Sequence, residues 1–238
     1  MAALVPHVER VEDVAAFLWQ TREYSDVTIS TGDHKEINAH KAIICIRNKF
    51  FENCLRHGFA ESFTNRVELP ENFEIVEALL QSLYGVDVPL LHVSGEECKI
   101  QKLISLYSSA DKYGVALQEK VCQTFSACLE MVETPETILS IAWAVYDQTP
   151  YFDVQLRSAT INHVQAHLDT ILCTDESASV LMGNSQLAVD MLRRTAPMLQ
   201  EQAQALKAGS VPTTPKKRRS PRNATHTPGT HAFRVRMY

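Results

Sequence analysis

The segment DVTISTGDHKEIN, residues 26–38, constrains the fold more than any other part of the sequence. Val27 and Ile29 alternate with polar residues, which is the spacing of a strand with one buried face. EIN (36–38) is a second short apolar–polar run, and the turn-forming TGDHK separates the two. This arrangement predicts a β-hairpin. Because nearly all of the remaining pattern is helical, we expect an α+β fold in which helices flank a small sheet.

Helical spacing begins directly after the hairpin. AHKAIICIRNKFFENCLRHGF places Ile43, Ile46 and Phe50 about one helical turn apart, so we expect these residues on a buried face. Pro70 and the acids that follow it predict that a later helix opens at Pro70. RVEL (66–69) predicts a third short strand, and three later segments have helical spacing, namely 70–85, 97–114 and 115–130.

The C-terminal part of the chain predicts helices only. Thr134, Pro135 and Glu136 combine a capping hydroxyl, a proline suited to the first helical position and an acid in the first turn. From there to about residue 206 we expect four helical segments, separated at QTP, CTDE and APM. The N-terminal segment, 1–23, predicts a further helix whose apolar stripe is Leu4, Val8, Val11, Ala15 and Leu18.

Charge divides the chain into an acidic body and a basic tail. The net charge is −5, yet residues 207–238 hold eight of the 23 basic residues and no acidic residue. An acidic body argues against general nucleic-acid binding, which leaves at most weak contact through the tail. The tail is rich in Pro, Ser, Thr and Gly, a composition that predicts disorder.

Several classes of function lack their usual sequence signals. No apolar run approaches the ~18 residues of a membrane span, so we expect no membrane insertion and a location in the nucleus, the cytoplasm or both. The six cysteines include no C-x-x-C pair and are expected to be reduced thiols. The sequence also has no G-x-S-x-G element and no phosphate-binding glycine loop. These observations predict a protein that is not an enzyme and holds no cofactor and no metal.

The order hairpin, helical pair, strand, long helix, helical pair resembles a BTB/POZ domain at residues 24–130. Two departures are Asn48-Lys49, where the family has a Ser before its aromatic pair, and the stretch that follows Tyr84. The helices at 134–206 resemble the extension of short fungal BTB proteins. The resemblance rests on Asp26-Val27, His40-Lys41, Phe50-Phe51, Phe59-x-Glu61-Ser62, Val67-x-Leu69, Leu79-Leu80, Leu83-Tyr84, Ala110, Asp111, Tyr113, Leu117 and Cys122.

The resemblance implies three interaction sites. The N-terminal helix would pack on a partner subunit, which makes its stripe a dimer-interface candidate; the alternative is that it folds onto its own domain. Asp26 and Lys41 match a charged pocket at the dimer interface of BTB transcription factors, or else form an ordinary ion pair. Phe59 and Glu61 match the hydrophobic-x-Glu element of adaptors that bind a cullin. The alternative is that Phe59 packs in the core and Glu61 caps a helix.

The resemblance therefore implies a non-enzymatic protein-interaction module, a homodimer that could adapt substrates to a cullin-type ubiquitin ligase. The alternative is a nuclear transcription regulator that recruits corepressors through the BTB domain. The tail motif of Lys216, Lys217, Arg218 and Arg219 fits a nuclear-import signal or a generic basic tail. His163 and His167 have a spacing able to hold one metal, but without a third ligand of recognisable spacing a surface or half-buried pair is the favoured interpretation.

Overall fold

The computed structural model describes residues 13–56, 58–94, 96–150, 153–173 and 175–207. Residues 208–238 of the predicted tail and Leu4, Val8 and Val11 of the N-terminal stripe lie outside these ranges. The elements that it describes are α1 (Val14–Thr21), β1 (Val27–Ser30), β2 (Glu36–Ala39), α2 (Lys41–Arg47), α3 (Lys49–Arg56), α4 (Ala60–Thr64), β3 (Arg66–Glu68), α5 (Phe73–Tyr84), α6 (Glu97–Tyr113), α7 (Gln118–Leu129), α8 (Pro135–Gln148), α9 (Gln155–Ala166), α10 (Leu168–Leu172), α11 (Asp175–Gly183) and α12 (Ser185–Lys207).

The sheet confirms the predicted hairpin and third strand. Its order is β2-β1-β3, with β1 antiparallel to β2 and parallel to β3. Ile29 lies opposite both Ile37 and Val67, and these three side chains are buried. The apolar residues of all three strands therefore share the face that packs on the helices, as the period of two requires.

The hairpin turn decides where α5 begins. Gly32 packs so closely on Pro70 that an added Cβ would lie 2.1 Å from the Pro70 carbonyl oxygen, and the Gly32 amide donates to Glu71 at 2.8 Å. The Asp33 carboxylate accepts the Phe73 amide at 2.8 Å. Because Pro70 is held in this contact, the predicted helix start at Pro70 is wrong, and the helix opens at Phe73.

Asn48 splits the helical stretch after the hairpin into α2 and α3. It has extended backbone angles, and its buried side chain donates to the Tyr113 carbonyl at 2.9 Å and accepts the Phe51 amide at 3.2 Å. The predicted burial of Ile46 is wrong: this side chain is 83% exposed, whereas Ile44 is fully buried. Because the extended Asn48 interrupts the helix, α2 and α3 do not share one continuous series of buried positions.

A buried hydroxyl joins three distant segments. The Tyr84 hydroxyl accepts the His40 amide at 2.8 Å and lies 2.7 Å from His40 Nδ1, while His40 Nε2 lies 2.6 Å from the Glu23 carbonyl oxygen. These distances are satisfied when the Tyr84 hydroxyl donates to Nδ1 and Nε2–H donates to Glu23. The cluster fixes the junction of β2 and α2 against α5 and the loop after α1.

The C-terminal helices pack on the rest of the compact unit, which extends to Arg194. α8 lies against α6, and α9 lies against α7. The buried Arg157 guanidinium donates to the carbonyl oxygens of Thr149 at 2.7 Å and Tyr146 at 3.4 Å. These carbonyls lie at the C-terminal end of α8, where a positive charge is favourable.

The predicted start of α8 is confirmed, because Thr134 is its N-cap and Pro135 its first residue. The described residues hold five C-terminal helices, α8 to α12, one more than the roughly four that the spacing predicts, and the predicted breaks at QTP and CTDE are confirmed. The predicted break at APM is wrong: α12 continues through Pro197 to Lys207. The continuation from Thr195 onward belongs to a second unit.

Tyr84→Phe tests the buried hydroxyl. The substitution leaves the His40 amide and ring nitrogen without their partner, so we expect the free energy of unfolding to fall by about 1–3 kcal/mol. Urea denaturation followed by circular dichroism measures the change. Tyr24→Phe is the matched control because the Tyr24 side chain is 83% exposed, and we expect a change below about 0.5 kcal/mol. Equal effects of the two substitutions would contradict the role given to Tyr84.

Candidate protein-interaction site

The first site begins with two exposed aromatic side chains on α4. Gly58, at φ 81°, turns the chain toward this short helix, and Phe59 is the N-cap residue in extended conformation. Phe63 follows one helical turn later. Phe59 is 59% exposed and Phe63 is 81% exposed. The structure therefore does not support the alternative that Phe59 is a core residue.

Glu61 lies between these aromatic residues on the first turn of α4. Within the described residues, no hydrogen bond or ion pair engages its carboxylate, and the α4 N-cap has no side-chain cap. Burial, and in smaller part the charge of Glu61, raise the pKa of the Cys54 thiol, which places the carboxylate near α3. Ser62 steadies the turn instead, because its hydroxyl donates to the Phe59 carbonyl at 2.7 Å. Glu61 thus contributes a half-buried acceptor on the same short helix as the exposed Phe63.

A cleft formed by residues of α2 and α3 adds a third exposed apolar group. It has a volume of about 250 Å³, and Ile46 contributes the exposed side chain. The Glu52 carboxylate at this cleft accepts from Lys49 at 2.7 Å and also pairs with Arg56. The lining is Lys41, Cys45, Ile46, Glu52, Leu55 and Arg56. Sequence reasoning missed this surface because it assigned Ile46 to the core.

Asp26 and Lys41 come together through the backbone. The Asp26 carboxylate accepts the Lys41 amide at 2.8 Å and so caps the start of α2. The Lys41 ammonium donates to the Asn65 side chain at 2.5 Å, and Asn65 ends α4 with φ 55°. Among the ion pairs of the described ranges, none joins the Asp26 and Lys41 side chains. These residues therefore link α2 to α4, and their assignment to a dimer interface stays a prediction.

The structure describes only some of the remaining candidate residues. Ala15 and Leu18 are partly buried and pack on the core of their own domain. Leu4, Val8 and Val11 lie outside the described residues, as do the four basic residues 216–219.

The histidine pair is built into a helix junction. His163 Nε2 lies 2.8 Å from the Val132 carbonyl oxygen, and His167 Nδ1 lies 3.0 Å from the His163 carbonyl oxygen. Burial lowers the pKa of His163, and the neighbouring His167 lowers it further. No three His, Cys, Asp or Glu side chains converge in metal-binding geometry anywhere in the described ranges. Each histidine therefore already has one ring nitrogen within hydrogen-bond distance of a backbone carbonyl oxygen.

Comparison with known proteins adds independent evidence. A family model for the BTB/POZ domain matches residues 16–127. One BTB/POZ domain-containing protein of Arabidopsis thaliana is 28% identical over 187 residues, covering 76% of this chain and 77% of that protein. Another is 26% identical over 192 residues, covering 76% of this chain and 86% of that protein. TD and POZ domain-containing protein 2 of Mus musculus is 27% identical over 107 residues, 44% of this chain and 28% of that protein.

Both plant alignments are longer than the region 16–127, so they reach into the helices that follow α7. The likeness of these helices to a fungal extension stays a prediction. In the parts of the chain that the structure describes, each helix is too short or too polar to traverse a lipid bilayer. The same fold is indicated by the small three-stranded sheet with flanking helices, by the family match and by the relatives. This chain therefore contains a BTB/POZ domain, at residues 16–127.

Proposed function

We propose that this protein is a homodimeric substrate adaptor that binds the N-terminal domain of a cullin through Phe59, Glu61 and Phe63. BTB/POZ domains mediate protein–protein interactions, so the chain is an interaction module. The cullin contact and the dimer go beyond this family property and are tested separately below. The observation that carries it is the exposure of Phe59 and Phe63, at the start and near the end of the short helix that also holds Glu61.

The exposed area of the two phenylalanines is large enough to affect affinity. Fully burying one phenylalanine side chain contributes about 1.5–3 kcal/mol, so covering both of these partly exposed rings would contribute about 2–4 kcal/mol. That range corresponds to about a 30-fold to 1,000-fold change in Kd. An interface of this kind places apolar anchors in partner pockets and polar groups around them.

Glu61 supplies the polar part of the surface. Its carboxylate can accept from a main-chain amide or pair with a basic side chain of the partner. Because the carboxylate has no partner within the described residues, binding would not break an existing ion pair. Ile46, exposed at the cleft formed by α2 and α3, is a further apolar group that a partner could cover.

Dimerisation is proposed from the N-terminal stripe. Ala15 and Leu18 already pack on their own core, which leaves Leu4, Val8 and Val11 as the residues to contact a second subunit. Burying three aliphatic side chains at ~25 cal/mol per Å² would contribute several kcal/mol, enough to matter at micromolar concentration.

The first test is binding to a purified cullin N-terminal domain. We expect Phe59→Ala with Glu61→Ala to weaken binding about 30-fold or more, because one aromatic anchor and the only carboxylate of the surface are lost together. Phe63→Ala alone tests the added aromatic residue. Isothermal titration calorimetry measures Kd, and circular dichroism confirms that each variant is folded.

Leu172→Ala is the matched control, because it truncates an apolar side chain that is 53% exposed on α10. We expect it to bind like the wild type. An absence of binding by the wild type would exclude the adaptor function. Equal binding by the wild type and the Phe59/Glu61 variant would show that α4 is not the contact.

The dimer has its own test. Changing Leu4, Val8 and Val11 to Ser should weaken self-association, since the apolar stripe is removed. Sedimentation equilibrium of the full chain between about 1 and 100 μM covers the range in which such an interface acts. Self-association unchanged by the substitutions would reject this stripe as the interface.

Location in the nucleus, the cytoplasm or both is also a proposal, and the basic tail motif tests it. Changing Lys216, Lys217, Arg218 and Arg219 to Ala should lower the nuclear fraction of a fluorescent fusion if the motif acts in import. Fluorescence microscopy measures the nuclear-to-cytoplasmic ratio. An unchanged ratio would reject the import function.

A further inference from the structure

The outer edge of strand β3 is open along its main chain. The Thr28 amide donates to the Asn65 carbonyl, and the Leu69 amide donates to the Ser30 carbonyl. With Ile29 opposite Val67, these bonds direct the main-chain groups of residues 65, 67 and 69 toward β1. The amide and carbonyl groups of Arg66 and Glu68 therefore point away from the sheet.

No described strand covers these groups, because β3 is the last strand in the order β2-β1-β3. Arg66 and Glu68 are both exposed. The opposite edge differs, since Arg22 of the loop after α1 donates to the Asn38 carbonyl of β2 at 3.2 Å. Proteins usually protect open edges because they pair readily with another strand.

The side chains of β3 carry opposite charges at the two outward positions. Arg66 and Glu68 stand on the solvent face, with buried Val67 between them. When a second copy of β3 pairs antiparallel with this edge in a two-fold arrangement, Val67 lies opposite Val67 of the partner subunit. Arg66 then lies opposite Glu68 of the partner subunit, and the main-chain groups of this residue pair face each other. A like-charged edge would repel its own copy, whereas this edge complements it.

Only this register satisfies both the main-chain hydrogen bonding and the pairing of opposite charges. Sliding the second strand so that Arg66 faces Arg66 of the partner subunit places like charges together. Pro70 has no amide to donate, so the open edge ends there. The existing ion pair from Arg66 to Glu36, at 2.5 Å, joins half-exposed groups and is worth little in water. Glu68 takes part in no ion pair of the described ranges.

We propose that β3 is a self-association edge, which pairs antiparallel with β3 of a second copy to form one continuous sheet. This edge uses Arg66 and Glu68 and none of the residues assigned to the cullin contact or to the N-terminal stripe, so it does not rest on the proposed function. A chain that used both the stripe and this edge would assemble beyond a dimer.

A charge swap in the full-length chain tests the pairing. In Arg66→Glu homodimers, the introduced glutamate would face Glu68 of the partner subunit; in Glu68→Arg homodimers, Arg66 would face the introduced arginine. We expect either single variant to weaken this association at least about tenfold, because both cross-strand ion pairs become repulsive. In a mixed dimer of the two variants, one chain carries two glutamates and the other two arginines at positions 66 and 68, so both cross-strand pairs are again oppositely charged. The double variant R66E/E68R also restores both pairs.

Energy transfer between donor-labelled and acceptor-labelled chains measures the association. The mixed R66E and E68R sample is compared with R66E alone and with E68R alone, because an N-terminal dimer gives the same background in all three. Excess transfer in the mixture, together with recovery in the double variant, is the expected result. No excess in the mixture, or single variants that associate like the wild type, would overturn the proposal. Circular dichroism of the double variant and of Glu68→Gln checks the fold.

Discussion

The interaction on which the rest of the structure depends is the buried cluster of Tyr84, His40 and Glu23. A single hydroxyl serves both the amide and the ring of His40, and the opposite ring nitrogen reaches the loop after α1. The hydroxyl is buried, so its hydrogen bonds are not exchanged with water, and each unmade bond would be costly. The cluster thereby fixes the start of α2 against α5 and the loop after α1.

From this anchor, a chain of capping contacts leads to the exposed α4 face. Asp26 caps α2 through the Lys41 amide, and the Lys41 side chain reaches Asn65, where α4 ends. Asn65 also accepts the Thr28 amide through its carbonyl, which joins α4 to the sheet. The short helix that presents Phe59 and Phe63 is thus held at its C-terminal end. Exposed aromatic residues on a fixed turn lose less conformational freedom on binding than residues of a loose loop.

Much of the local structure could be predicted because its signals are local. The hairpin alternation and the Thr134-Pro135 helix start act within a few residues, and both appear in the structure. The helix break at Asn48 could not be predicted in the same way, since that side chain bonds to Tyr113, which is distant in sequence. The start of α5 at Phe73 depends similarly on Gly32 and Asp33. Pro197 failed as a break because α12 accommodates it within the helix.

The sequence by itself determined the class of fold, the order of its elements and the BTB/POZ resemblance, all of which depend on periodicity, turn residues and residue order. The tertiary structure alone decided which apolar side chains stay in water. Ile46 and Phe59 have the same local hydrophobicity as buried neighbours, yet they are exposed while Ile44 and Phe51 are covered. It also revealed that the edge of β3 is open, because a strand's free side depends on which distant segments pair with it. Burial and pairing are properties of segments that meet only after folding, so no local pattern encodes them fully.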